Sequence, residues 1–380
     1  MVLVGRFLPE TSRGAVMFDT GRILISVRRL NHERALSVTV RSSRTEAVAR
    51  WLTGCDIRSR DVEARLVTLH ALCPEAHRAA WKSALAAAQG TVVRAAPLSL
   101  QREVLWEHLR FLTFDAPRAI GTAPLSDPAA LGHLRNRLEA APDSAGVAAL
   151  IRPFITRFVT GLPLERFAEI ATRQELFLWA QNTSTAPARM LQALFASDIG
   201  NTPVSTRSFT ASPAEVARWL KVPDFAATTP TAEGVPQATG AFVREAEQPL
   251  IRNLSSAPTL LTLFAARLAE LSSLTANASS ISLVHALPTG DHEGTALVAT
   301  ARGTLLYHVS INEKQHAERV RIVTPTDWNF APGGPCRTLL SSLPFTDAAD
   351  FAGKARWVTT GFDPCVPCNL SFHLTEAGDA

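Results

Sequence analysis

The tightest constraint in this 380-residue sequence is the segment Asp363-Pro364-Cys365-Val366-Pro367-Cys368. Two cysteines separated by two residues can present both sulfurs to one metal ion or close a small redox disulfide. A thioredoxin-like use would put the motif after a strand and at the start of a helix, whereas Pro364 and Pro367 hold this segment extended or in a turn. Metal binding, redox chemistry and a pair of bystander thiols are the readings these residues allow.

Composition narrows the setting. Apolar residues make up 46% of the chain and charged residues 19%, enough apolar surface to offset ordering entropy, which excludes an intrinsically disordered protein. The formal charge is only +4, and Lys occurs solely at positions 82, 221, 314 and 354, so nearly all of the 38 basic residues are Arg. An excess so small and dispersed is no nucleic-acid footprint. No run approaches the ~18 uninterrupted apolar residues of a membrane span. The start, MVLVGRFLPETSRG, lacks the ordered charge, apolar run and cleavage site of a secretory leader, so a cytoplasmic location is expected. Five cysteines, at 55, 73, 336, 365 and 368, form an odd, scattered set and point to reduced thiols, not a secreted disulfide framework.

Periodicity organises the chain. GRILISVRR and ALSVTVRSS flank the polar Leu30-Asn31-His32-Glu33-Arg34 and predict a β-hairpin within 17–42. Helical spacing in TEAVARWL, VEARLVTLHALC and REVLWEHLRFL predicts three helices between Arg44 and Phe114. Ala- and Leu-rich amphipathic stretches extend this helical body over 44–275, interrupted by PDFAATTPTAEGVPQATG, which reads as a surface loop and a candidate linker. ISLVHAL, TALVATA, TLLYHVSI and RVRIVTP have strand periodicity. ARWVTTGFDPCVPCNLSFH reads as a strand entering a proline-constrained loop, so 280–373 is a β region carrying the cysteine motif. The expected fold class is α+β, mostly helical, with a smaller β region, in a single domain.

A second signal is Leu69-His70-Ala71-Leu72-Cys73-Pro74-Glu75-Ala76-His77. On one helix, His70, Cys73 and His77 at i, i+3 and i+7 would share a face, as ligands of a site must. Taken alone, the pattern also describes a core thiol beside a solvated imidazole.

Together, GFDPCVPC with His373 and LHALCPEAH resemble the two cysteine motifs of nickel-iron hydrogenase large subunits, D-P-C-x-x-C-x-x-H and R-x-C-G-x-C-x-x-x-H. In that family the first Cys of each motif is a terminal nickel ligand and the second bridges nickel and iron. Ala301-Arg302-Gly303-Thr304-Leu305 with His308 resembles the family's E-A-P-R-G segment and its following His, and Val323-Thr324-Pro325-Thr326-Asp327-Trp328-Asn329 resembles its V-P-T-T-W-N. The resemblance implies a large-subunit-like fold in which both ends of the chain meet at one buried site.

The departures are as informative. Alignment on Cys73 and His77 puts His70 where the first cysteine should be, Thr68 at the arginine and Ala71 at the glycine. The bridging positions, Cys73 and Cys368, are kept, as is Cys365. The proton-carrying glutamate of the family's E-G-H segment falls at Leu30, which cannot ionise, and the glutamate of E-A-P-R-G falls at Ala299. The C-terminal His lies five residues after Cys368 instead of three.

This pattern, with VRSSRTEAVARWLTG, LCPEAHRAA and WEHLRFLTFDAP, resembles the HupK/HoxV type of hydrogenase maturation protein. It implies a non-catalytic scaffold or chaperone that holds or assembles an iron carrying one carbonyl and two cyanides, without nickel, and passes it to the hydrogenase large-subunit precursor. The implied partners are that precursor, a HypC-type small maturation chaperone and other Hyp accessory proteins. The implied iron ligands are Cys73, Cys368 and Cys365, with His70 as either a weak ligand or a plain helix residue. Soft thiolates suit such iron. Arg302 would hold a cyanide nitrogen or make a salt bridge, Thr326 would donate to a second cyanide or bond its own turn, and His77 would bond a bridging sulfur. A divergent catalytic hydrogenase, and a structural protein with a zinc or empty cysteine site, are the alternative readings.

Overall fold

The computed structural model describes residues 4–6, 21–29, 36–125, 127–222, 225–254, 257–276 and 282–374. Leu30, Asn31, His32 and the tip of the expected hairpin lie outside these residues. In chain order the strands are β1 (Val4–Arg6), β2 (Ile23–Arg29), β3 (Ser37–Ser42), β4 (Arg207–Ser208), β5 (Gln237–Ala238), β6 (Val284–Gly290), β7 (Glu293–Thr300), β8 (Gly303–Ile311), β9 (Ala317–Val323) and β10 (Cys368–Leu374).

The first sheet has the order β1-β10-β2-β3. β2 and β3 pair antiparallel, as their alternation predicts. β10, which the sequence did not announce as a strand, slots in beside β2 in parallel, Cys368 opposite Ile23 and Leu370 opposite Ile25. Because strand side chains alternate, this register puts Cys368, Leu370 and Phe372 on the buried face with Ile23, Ile25 and Val27.

The second sheet is the antiparallel meander β6-β7-β8-β9, where the sequence places its four strands. Four helices, not three, lie between Arg44 and Phe114: α1 (Ala47–Leu52), α2 (Arg60–Leu69), α3 (Pro74–Ala88) and α4 (Leu98–Arg110). Pro74 is the reason. It has no N–H to give and tolerates only the first helical turn, so α2 stops at Leu69 and α3 starts afresh. The small residues Ala76, Ala80, Ala84 and Ala87 of α3 are fully buried. At Gly294 of β7 an added Cβ would lie 2.1 Å from the Ala84 carbonyl oxygen, so the helix rests directly on the sheet.

Two further expectations are corrected. ARWVTTGF belongs to a helix, Ala348–Phe362, not a strand. Asp347 caps it by accepting from Ala349 and Asp350 N–H, and Phe351, Ala355, Val358 and Phe362 form a buried stripe at helical spacing that outweighs the β propensity of Val358, Thr359 and Thr360. The Thr- and Pro-rich segment is no surface linker, since Ala227, Ala232, Gln237 and Thr239 are buried in it and β5 pairs in parallel with β4. Among the described residues no helix is long and apolar enough to cross a membrane.

Candidate metal centre

Five chain segments converge on the cysteine motif. The helix Ala348–Phe362 ends at Asp363, whose φ of 47° lies in the left-handed region, and Pro364 then turns the chain away. From there Cys365 faces the strand-to-helix junction after β3 and the short helix Pro325–Asn329. Arg44 Nη1 donates to Cys365 Sγ at 2.8 Å, and Thr326 Oγ1 donates to the same sulfur at 3.2 Å while accepting from the Cys365 N–H at 3.1 Å. Thr326, expected to serve a cyanide or its own turn, here holds the cysteine.

Arg44 also pairs through Nε with Asp327 Oδ1 at 3.1 Å, and Asp327 Oδ2 closes the cap of its helix by accepting from the Thr324 N–H and hydroxyl. Burial works against the Arg44 charge, but Cys365 and Asp327 more than restore it and raise its pKa. Its position is set by Gly21, which has φ +80°, and where a Cβ would stand 2.7 Å from the Arg44 backbone. Gly21 and Arg44 thus tie the start of β2 to the motif, and the adjoining Ile23 N–H bonds the Pro367 carbonyl at 2.9 Å.

Cys73 is the residue before the first turn of α3, with its N–H bonded to the His70 carbonyl at 3.1 Å. The two N–H groups that follow in that turn, of Glu75 and Ala76, are taken by Glu103 of α4 at 2.7 and 2.9 Å. Burial, opposed by those two bonds, lifts the Glu103 carboxyl to about 7. His70, Cys73 and His77 therefore do not share a helix face as the spacing predicts, because the break at Pro74 separates them. The turn brings the two imidazoles together instead, ring centroids 3.4 Å apart and edge-on. His77 Nδ1 bonds Tyr307 Oη at 2.7 Å where a bridging sulfur was expected. Burial, with Arg44 nearby, lowers His70 to about 4, so it is neutral, and its Nε2 has no hydrogen-bond partner among the described residues.

Arg302 comes from the tight β7–β8 turn, where Thr300 Oγ1 accepts from the Arg302 and Gly303 N–H groups. It makes the salt bridge that the sequence left open: Nη2 to Glu107 at 2.9 Å and Nε to Asp363 at 3.3 Å. Asp363 also takes Arg267 at 3.1 Å, while Glu107 takes Arg110 at 3.0 Å, which reaches Asp115.

The sulfurs interact in sequence-distant pairs. Burial pushes the Cys73 thiol up, Arg302 pulls it down, and Cys365 raises it again, so these three groups share one electrostatic environment. Burial and then Cys365 push Cys368 up as well. Cys336, to which the sequence assigned no role, is buried within electrostatic reach of Cys368. Among the described residues no three His, Cys, Asp or Glu side chains form a metal-ion cage. One sulfur, Cys365, is held between a guanidinium and a hydroxyl, donors that suit a thiolate or an anionic complex, whereas burial keeps the Cys73 and Cys368 thiols protonated.

Sequence reasoning passed over Arg44, Asp327, Tyr307, Glu103 and Glu107. Arg44 and Glu107 lie in the segments that carried the resemblance, VRSSRTEAVARWLTG and WEHLRFLTFDAP, which is the signal that could have found them.

No family model matches the chain. It is 34% identical over 177 residues to the hydrogenase expression/formation protein HupK of Rhizobium leguminosarum bv. viciae, a stretch covering 44% of this chain and 46% of that relative, less than half its length. It is 26% identical over 347 residues to the hydrogenase expression/formation protein HoxV of Cupriavidus necator, covering 83% of this chain and 89% of HoxV. A HupK of Bradyrhizobium diazoefficiens is 26% identical over 330 residues. Among solved structures, an NAD+-reducing [NiFe]-hydrogenase superposes with a TM-score of 0.52 at 14% identity over 88% of this chain and 94% of that one. A [NiFeSe] hydrogenase of Desulfovibrio vulgaris Hildenborough does so with 0.51 over 87% and 94%. These neighbours are hydrogenase large subunits, and the fold is the α+β, large-subunit-like one that the cysteine motifs imply.

Proposed function

From its homology to the HupK and HoxV hydrogenase expression/formation proteins, we propose that this chain is a non-catalytic scaffold for the iron half of a nickel-iron centre. Its cargo is an iron(II) with one carbonyl and two cyanides, received and then passed to a hydrogenase large-subunit precursor, with a HypC-type chaperone and other Hyp proteins as partners. The observation that supports this reading best is the pairing of Cys73 and Cys365 with two guanidiniums, the half-buried Arg44 and the buried Arg302. Thiolates bind low-spin iron, and guanidinium donors suit cyanide nitrogens on an anionic complex. At the position of the missing nickel cysteine stands His70, a neutral imidazole and a poorer soft donor than thiolate. Turnover as a hydrogenase also lacks the family's glutamate, replaced by Leu30.

Infrared spectroscopy and elemental analysis of protein purified without oxygen test the proposal. Carbonyl and cyanide stretches with iron and without stoichiometric nickel are expected. Cys73→Ser and Cys368→Ser should each abolish the bands and fail to restore hydrogen uptake to a deletion host. Zinc without infrared bands, or full complementation by both variants, would refute it.

A further inference from the structure

A small cleft of about 50 Å³ opens beside the motif, lined by Arg44, Thr45, His70, Thr228, Thr324 and Asp327, among others. Val48, Ala49 and Ile322 give it apolar walls, and its polar groups are mostly donors, from Arg44, Thr45 and Thr228. Of its two carboxylates, Asp327 is paired with Arg44 and Glu46 with Arg321 at 2.9 Å, so neither presents free negative charge. The unpartnered Nε2 of His70 belongs to the same lining. Arg44 belongs both to the cleft and to the cysteine motif: beyond its guanidinium, at 2.8 Å, is Cys365 Sγ. Arg302, by contrast, is 6% exposed and locked by two carboxylates, and it does not line the cleft.

Resting on the scaffold reading, we propose that this cleft is the iron unit's way in and that Cys365 is the first thiolate to take it, with Arg44 as the positioning residue that holds Cys365 ready. This gives Cys365 a role other than the nickel-terminal one its motif position implies. An incoming anionic iron–cyanide complex meets Arg44 first. As Cys365 binds the metal, its sulfur charge is shared with iron, and Arg44 is released to bond a cyanide nitrogen. The exchange is redox-neutral. An Fe–S bond to a cysteine thiolate of the delivering protein breaks, an Fe–S bond to Cys365 forms, iron stays iron(II), and the Cys365 thiol proton goes to the departing thiolate. Cys73 and the buried Cys368 then complete the sulfur set.

Two measurements on the full chain test this. In cells sampled at intervals after induction, Cys365→Ser should slow the appearance of the iron carbonyl and cyanide bands about tenfold or more while keeping their final intensity. Arg44→Ala should slow it similarly and Arg44→Lys less. In metal-free protein, iodoacetamide should label Cys365 about tenfold ahead of Cys368, because Cys365 is partly exposed behind the cleft's Arg44 while Cys368 is buried. Thr228→Trp, which fills the cleft, should slow both Cys365 labelling and iron loading but not the labelling of Cys55, with far-ultraviolet circular dichroism confirming the fold. Loading at the wild-type rate in Cys365→Ser, or Cys368 labelled as fast as Cys365, would overturn the proposal. Absence of bands in wild-type protein would instead sink the scaffold reading, and the labelling order would still decide the route.

Discussion

Two arginines flank the same sulfurs, one buried and one half-buried, and they are built differently. Arg302 sits in a chain of ion pairs, Asp115–Arg110–Glu107–Arg302–Asp363–Arg267, in which the central charges each have two partners. Arg44 has one carboxylate and one sulfur, and it borders open space. A buried charge with two carboxylate partners is costly to disturb, whereas a charge that keeps one carboxylate can exchange its sulfur partner for another acceptor. The contrast separates a fixed wall of the site from a movable one.

The largest test of that contrast is stability. Arg302→Met leaves Glu107 and Asp363 each short of a partner in the interior and should cost about 3 kcal/mol or more, whereas Arg44→Met, whose Asp327 keeps its Thr324 donors, should cost about 1 kcal/mol. Urea unfolding of both variants measures this. Equal losses would erase the distinction between wall and gate.

A second test separates the regions by pH. His70, beside Arg44, is lowered from the ordinary 6.5 to about 4 by burial and then by Arg44. The unfolded chain therefore takes up its proton first, and stability is lost as pH falls from about 6.5 toward 4, by about 3 kcal/mol at most for this one group. Glu270 lies on the other side, bonded to Arg244 and His108. Burial would raise it, but those partners outweigh burial and hold it at about 2, so its contribution is present above the ordinary 4.5 and is lost only as pH falls from there through 2. His70→Gln should reduce, though not abolish, the fall of the unfolding midpoint between pH 6.5 and 4, since His77, His108 and His308 are also held down by burial, and leave the more acidic limb unchanged. A variant with the wild-type slope in the upper window would show that His70 is not held neutral.

The smallest expected effect concerns the cysteines outside both motifs. Cys55→Ser should change neither stability nor iron content. Cys336→Ser puts a hydroxyl into a fully buried site near Cys368 and should cost about 1 kcal/mol without loss of iron. Iron loss in Cys336→Ser would make it part of the sulfur set.

Where side-chain period or chain-breaking residues dominate, the fold was legible. The meander β6–β9 and the hairpin β2–β3 follow from alternation, and the large-subunit-like fold follows from motif order. Pro74 held the information that α2 and α3 are separate, but the spacing of His70, Cys73 and His77 masked it. The β-branched run at Val358–Thr360 hid a helix whose evidence lay in its buried stripe. Motif order pointed to Cys73, Cys365, Cys368 and Arg302 as neighbours, and the fold places them within electrostatic reach of one another. Arg44, one arginine among many, was not legible, because its role arises from a contact between residues 44 and 365 that no local pattern encodes.

β10 has a consequence for synthesis. It is not an edge strand: it fills the gap between β1 and β2, so until residues 368–374 leave the ribosome the β2–β3 hairpin must wait with one side of β2 unpaired. The same event brings Cys365 and Cys368 to Arg44. Closing the sheet and assembling the sulfurs are thus one step of very high contact order, which waits for residues 365–374. A chain that has not yet taken that step exposes both an unpaired strand and unguarded thiols to whatever chaperone attends it.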